Sequence, residues 1–118
     1  MSTGRVAYVN GEILPESQAS VSINDRGFLY GDAVFDTTRT FNGEIFRLEQ
    51  HLDRFYESLR YMRIESPIDK TEMKEITLKV LDKNLEILSD GDDYWVSQRV
   101  TRGVRGLPGG MHPTVIIE

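Results

Sequence analysis

Two Asn-Gly pairs, each set between apolar runs, constrain this chain more than any other feature. Asn10-Gly11 lies between Val6-Ala7-Tyr8-Val9 and Glu12-Ile13-Leu14, and Asn42-Gly43 lies between the run from Val34 to Phe41 and Glu44-Ile45-Phe46. A two-residue hairpin turn needs positive φ at both positions, which Asn and Gly adopt at least cost. The first half therefore reads as antiparallel hairpins.

The pattern changes after Phe46. Leu48, Leu52, Phe55, Leu59 and Met62 recur at helical spacing and form one apolar stripe. Glu49, Asp53, Glu57 and Arg60 fall on the far side, and Arg47, His51, Arg54 and Ser58 share one border between the two faces. A second helix is predicted from about Lys70 to Asn84, with Asp69 and Glu72 in the pattern of a capping box. Met73, Ile76, Val80 and Leu81 form its buried stripe, and Glu75 with Lys79 is a favourable i,i+4 pair.

Tyr94 to Thr101 reads as a strand, Gly103 to Gly110 as a glycine-rich loop, and Thr114 to Ile117 as a last strand. The β-branched run Thr114-Val115-Ile116-Ile117 suits a buried strand. It reads either as a C-terminal edge strand or as part of a chain cut inside a larger protein. Hairpins followed by grouped helices give the fold class α+β, an antiparallel sheet with two helices. There is no internal repeat or low-complexity linker, so residues 1–118 read as one domain.

Composition excludes several functions. The 118 residues carry a net charge of −5, a poor balance for a nucleic-acid partner, whose affinity rests on neutralising phosphates with Lys and Arg. There is no cysteine, hence no disulfide and no thiolate metal site. His51 and His112 are the only histidines and are too separated to suggest zinc. Met1 to Arg5 lacks the apolar core of a signal peptide, and no apolar run reaches membrane-spanning length. The chain reads as a cytoplasmic protein with no membrane partner. Gly103, Gly106, Gly109 and Gly110 do not lead from a strand into a helix, so they fail the test for a nucleotide loop.

A resemblance adds to this. The segment Asn24-Asp25-Arg26-Gly27-Phe28-Leu29-Tyr30-Gly31-Asp32-Ala33-Val34-Phe35, then Arg39, Asn42-Gly43 and His51-Leu52-Asp53-Arg54-Phe55, resembles the N-terminal domain of fold-type IV (class IV) aminotransferases. The opening Tyr8-Val9-Asn10-Gly11-Glu12 and the late Val100-Thr101-Arg102-Gly103 match it as well. The likeness covers most of the chain in the expected order.

It implies two-domain enzymes that form homodimers and hold pyridoxal 5′-phosphate between their domains. It implies that Arg54, in the His-x-x-Arg segment, binds the cofactor phosphate. It places Phe35 and Tyr30 at the substrate side-chain pocket, with Tyr30 reaching across the dimer, and it suggests Arg105 as a holder of a substrate carboxylate. The strand from Tyr94 to Arg99 departs from the branched-chain pattern, which carries a tyrosine and an arginine near Trp95 and Ser97. The resemblance also implies a Schiff-base lysine in a larger C-terminal domain, beyond this chain. Lys70, Lys74, Lys79 and Lys83 all fall in one predicted helix and read as a solvated face.

Three functions remain open at this point. One is transamination between an amino acid, a branched-chain L-amino acid first, and a 2-oxo acid; D-amino acid and (R)-amine transaminases are related variants. One is a lyase like 4-amino-4-deoxychorismate lyase. The third is a non-catalytic α+β binding domain. On the enzyme readings this chain alone is inactive.

Overall fold

The computed structural model describes residues 4–88, 91–106 and 109–118. Both Asn-Gly turns form as expected. Asn10 and Gly11 have φ of 47° and 105°, and Asn42 and Gly43 of 54° and 81°. They join β1 (Val6–Val9) to β2 (Glu12–Pro15), and β3 (Ala33–Phe41) to β4 (Glu44–Ile45). Between the hairpins lies α1 (Arg26–Tyr30), five residues that show no periodicity in the sequence. Asp25 caps it by accepting from the Gly27 N–H at 2.7 Å.

Two longer helices follow, α2 (Leu48–Met62) and α3 (Lys70–Leu85). The expected cap is present, since the Asp69 side chain accepts from the Glu72 N–H at 2.9 Å. Then come β5 (Trp95–Thr101), the short strands β6 (Val104–Arg105) and β7 (Met111–His112), and β8 (Val115–Ile117). The expected glycine-rich loop is thus partly a two-stranded ribbon of β6 and β7; Leu107 and Pro108 within it lie outside the described residues.

All pairings are antiparallel, and the main sheet runs in the order β2-β1-β8-β5-β3-β4. The last strand is therefore not an edge. Ile117 stands between Tyr8 of β1 and Gln98 of β5, and both Val115 and Ile117 are buried.

The helices cover one face of this sheet. Leu48, Leu52, Phe55 and Leu59 from α2, with Met73, Val80 and Leu81 from α3, pack on Val34, Val96, Val100, Val115 and Ile117. Two details of the expected stripes change. Met62 is 39% exposed, because α2 ends there and Arg63 turns left-handed. Ile76 is only partly buried, while Thr77 and Asn84 are fully buried in α3. The expected pair of Glu75 with Lys79 is not among the ion pairs of the described residues. The cross-helix pairs are Lys74 to Glu49 at 2.7 Å, and Lys70 to Glu49 at 2.9 Å and to Asp53.

The other face of the sheet is uncovered over Phe35, Phe41 and Trp95, while at its far end the segment around α1 lies on it and buries Thr101 against Asp25. Along β3, Val34, Asp36, Thr38 and Thr40 are buried under the helices, whereas Phe35 and Phe41 are exposed. The same alternation on β5 buries Val96, Gln98 and Val100 and exposes Trp95. A strand turns successive side chains to opposite faces, so the neighbours Phe35 and Asp36 serve different sides of one layer.

Candidate functional site

A charged cluster lies where β3 meets the border of α2. Asp36, buried on the helix-facing side, accepts from Arg54 Nε and Nη2, both at 2.9 Å. His51, one helical turn before Arg54, places Nδ1 at 2.7 Å from Asp36 Oδ1. An ionised carboxylate only accepts, so His51 donates its Nδ1 proton there. Arg54 Nη2 lies 3.3 Å from His51 Nδ1, the two donors converging on the same oxygen.

Burial alone would push the Asp36 carboxyl up. The hydrogen bonds from Arg54 and His51 outweigh that and hold it below the ordinary carboxylate range. Asp36 in turn raises the Arg54 guanidinium above its usual value.

What remains free on Arg54 decides what it can bind. Asp36 occupies the side edge of the guanidinium, Nε with Nη2. Among the described residues nothing accepts from the Nη1 donors or the second Nη2 proton, and the side chain is 67% exposed. A guanidinium fixed from behind, with its end fork turned to solvent, suits a phosphate or carboxylate. The border shared by His51 and Arg54 was visible in the helical spacing. Asp36 was not among the expected site residues, although the two-residue alternation of β3 places it on the same buried face as Val34 and Thr38.

The other expected residues are not gathered in one place. Phe35 stands on the uncovered face and lines a cavity of about 460 Å3 together with Phe28. Tyr30 and Arg105 share a separate, smaller cavity of about 260 Å3 with Asn24, Arg26, Leu29 and Val104. Tyr30 is 72% exposed, and the Arg26 guanidinium lies 5.8 Å from its ring centre. Arg105 is exposed and makes no ion pair among the described residues.

The segment carrying Phe28 and Tyr30 is held by Asp25, which is 1% exposed. Besides the Gly27 N–H, its carboxylate accepts from the hydroxyls of Thr101 at 3.0 Å and Thr114 at 2.5 Å. The backbone N–H of Arg26 donates to the Gly103 carbonyl at 3.0 Å. On the uncovered face, the Thr37 and Ser97 hydroxyls are 2.7 Å apart.

Residues 33–117, from the start of β3 through β8, match the model of the amino-transferase class IV family. The chain belongs to that family. A putative branched-chain-amino-acid aminotransferase of Methanocaldococcus jannaschii is 39% identical over 106 residues, covering 90% of this chain and 34% of the relative. A D-alanine aminotransferase of Listeria monocytogenes is 34% identical over 97 residues, covering 82% of this chain and 32% of the relative.

Among solved structures, the branched-chain amino acid aminotransferase from Escherichia coli superposes with a TM-score of 0.80 at 22% identity. That match covers 98% of this chain and 40% of the other, and it shows the shared α+β fold. The chain spans about a third of the length of the curated relatives.

Proposed function

We propose that this chain is the N-terminal, phosphate-binding part of a pyridoxal-phosphate-dependent aminotransferase that moves an amino group between an amino acid and a 2-oxo acid. The observation that carries the proposal is Arg54, held along its side edge by buried Asp36 with its end fork exposed, in a chain of the class IV family. Pyridoxal 5′-phosphate, when bound, supplies the electron sink that amino-group transfer requires. Arg54 holds the phosphate, and Asp36 and His51 keep Arg54 in place.

On this reading the lysine that carries the cofactor is not one of the four in α3. A reactive lysine needs a lowered pKa. Lys70 instead has a raised one, through its hydrogen bonds to Asp53 and Glu49, and Lys74 is paired with Glu49. The 118-residue chain incubated with pyridoxal phosphate and amino acids yields no oxo acid. Turnover that depended on an α3 lysine would contradict this.

The amino donor we assign is a branched-chain L-amino acid, supported by the relative with 39% identity and by the apolar Phe35 at the cavity wall. The 34% identity to a D-alanine aminotransferase favours a D-amino acid as the alternative donor. A screen of L-leucine, L-valine and D-alanine with the full-length protein separates the two. Tyr30 and Phe35 line different cavities of one chain. A shared substrate pocket therefore requires Tyr30 from the second subunit of a homodimer.

Removing a charge-assisted contact worth about 1.5–3 kcal/mol weakens binding by about ten- to a hundredfold. In the full-length protein, Arg54→Ala loses cofactor on dialysis, and Arg54→Lys recovers it in part because lysine has no fork. Glu57→Ala, on the exposed side of α2, changes little. Cofactor held as tightly by a folded Arg54→Ala as by the parent would refute the phosphate role.

A further inference from the structure

A second arginine faces the opposite side of the same strands. Arg99 of β5 is the register partner of Phe35 on one side and of Ile116 on the other, and its guanidinium lies 5.1 Å from the centre of the Phe35 ring. It lines the cavity of about 460 Å3 on the uncovered face of the sheet, whose walls include Val21, Phe28, Phe35 and Ile116.

The charges around this cavity are unevenly committed. Asp25 also lines it, but its oxygens are taken by the Gly27 N–H and two threonine hydroxyls. Among the described residues the one ion pair of Arg99 is with Glu118, at 3.6 Å, beyond hydrogen-bond distance, and both side chains are partly exposed. Such an exposed pair contributes little. The other arginine on this face, Arg39, is engaged: it lies 3.1 Å from Asp93 and stacks over Phe41 and Trp95.

Apolar and aromatic walls with one lightly held guanidinium suit a ligand with an apolar chain ending in a planar anion. A carboxylate matches the flat fork of a guanidinium, with two oxygens for two N–H donors.

We infer that Arg99 binds the carboxylate of an apolar amino or oxo acid lodged against Phe35, on the opposite side of β3 from the Arg54 phosphate site. The inference deepens the aminotransferase proposal by giving that reaction's substrate a named carboxylate partner. It gives to the sheet face a task that the family resemblance suggests for Arg105.

The test is an equilibrium one. The intact protein is titrated by calorimetry with 4-methylpentanoate and with 4-methylpentanamide, a neutral ligand of the same shape. The parent binds the carboxylate about ten- to a hundredfold more tightly than the amide. Arg99→Gln abolishes that preference, Arg99→Lys restores part of it, and Arg39→Gln leaves it intact. Circular dichroism confirms that each variant is folded.

Survival of the preference in folded Arg99→Gln overturns the inference, as does equal binding of the two ligands by the parent. Loss of the preference in Arg105→Gln but not in Arg99→Gln overturns it in favour of the loop. No turnover is needed. Loss of carboxylate preference in Arg99→Gln therefore stands even where Arg54→Ala keeps its cofactor and the aminotransferase reading fails.

Discussion

Asp36 holds Arg54 by two hydrogen bonds of 2.9 Å along one edge of the guanidinium, so the arginine is oriented before any ligand arrives. The residue that makes Arg54 useful therefore lies on a strand, eighteen positions earlier in the chain. A side chain whose rotamer is fixed in advance loses less entropy on binding. Asp36→Asn should for that reason weaken phosphate binding even though Arg54 itself is untouched.

The same pair makes a pH prediction. The Asp36 carboxyl is held below its unfolded value of about 3.9. A lowered folded pKa gives stabilisation that is present above the unfolded value and lost as pH falls through the folded one. Asp36→Asn should cost about 1.5–3 kcal/mol near neutral pH, the range for hydrogen bonds to charged groups. In urea titrations the gap between parent and variant should shrink as pH falls below about 4 and Asp36 takes up its proton. A gap that persists undiminished well below that pH would contradict the assignment of charge to Asp36.

A second buried polar residue ties α3 to the sheet. Asn84 accepts from the Val6 N–H at 2.8 Å and donates to the Val6 carbonyl at 3.0 Å and to the Tyr94 hydroxyl at 2.8 Å. Asn84→Leu leaves both part-buried backbone groups of Val6 without their side-chain partner, a loss of up to about 2–6 kcal/mol at about 1–3 kcal/mol per unsatisfied group. Tyr94→Phe removes one hydroxyl that Arg5 and Asn84 share, and should cost about 1 kcal/mol. Denaturant midpoints decide the order. Equal effects would mean that Val6 finds other partners.

What could be read in advance followed from the range of each interaction. The bounds of α2, the Asp69 cap and the two Asn-Gly turns depend on residues within a few positions of each other, and all formed as expected. The interior place of β8 depends on β1, at the other end of the chain, and the run from Thr114 to Ile117 carries no sign of which strands flank it. Helix α1 is too short to show a period, and its cap Asp25 is explained only by hydroxyls from Thr101 and Thr114. Arg54 and His51 were legible as a helix border. Their link to Asp36 needed two periodicities at once, that of the helix and that of the strand, together with the packing of one on the other.

Gly103 provides the sharpest test of the packing behind the Arg105 loop. Its φ of +85° disfavours any side chain, and a Cβ there would lie 1.8 Å from the His112 carbonyl oxygen and 2.6 Å from Pro113 Cα. Neither obstacle is a flexible side-chain end. His112 is paired with Val104 across the small ribbon, and the Gly103 carbonyl receives the Arg26 N–H at 3.0 Å. Relief of the clash would therefore pull the ribbon from β8 or α1 from β5.

Gly11 separates the two costs, because its φ is +105° and nothing lies within 4 Å of an added Cβ. Gly11→Ala should cost the strain alone, about 1–2 kcal/mol. Gly103→Ala adds a backbone collision and belongs with the exceptional substitutions of about 4–5 kcal/mol or more. Thermal or urea unfolding of both variants measures the difference. If Gly103→Ala is no more destabilising than Gly11→Ala, the close approach of Gly103 to His112 and Pro113 is wrong.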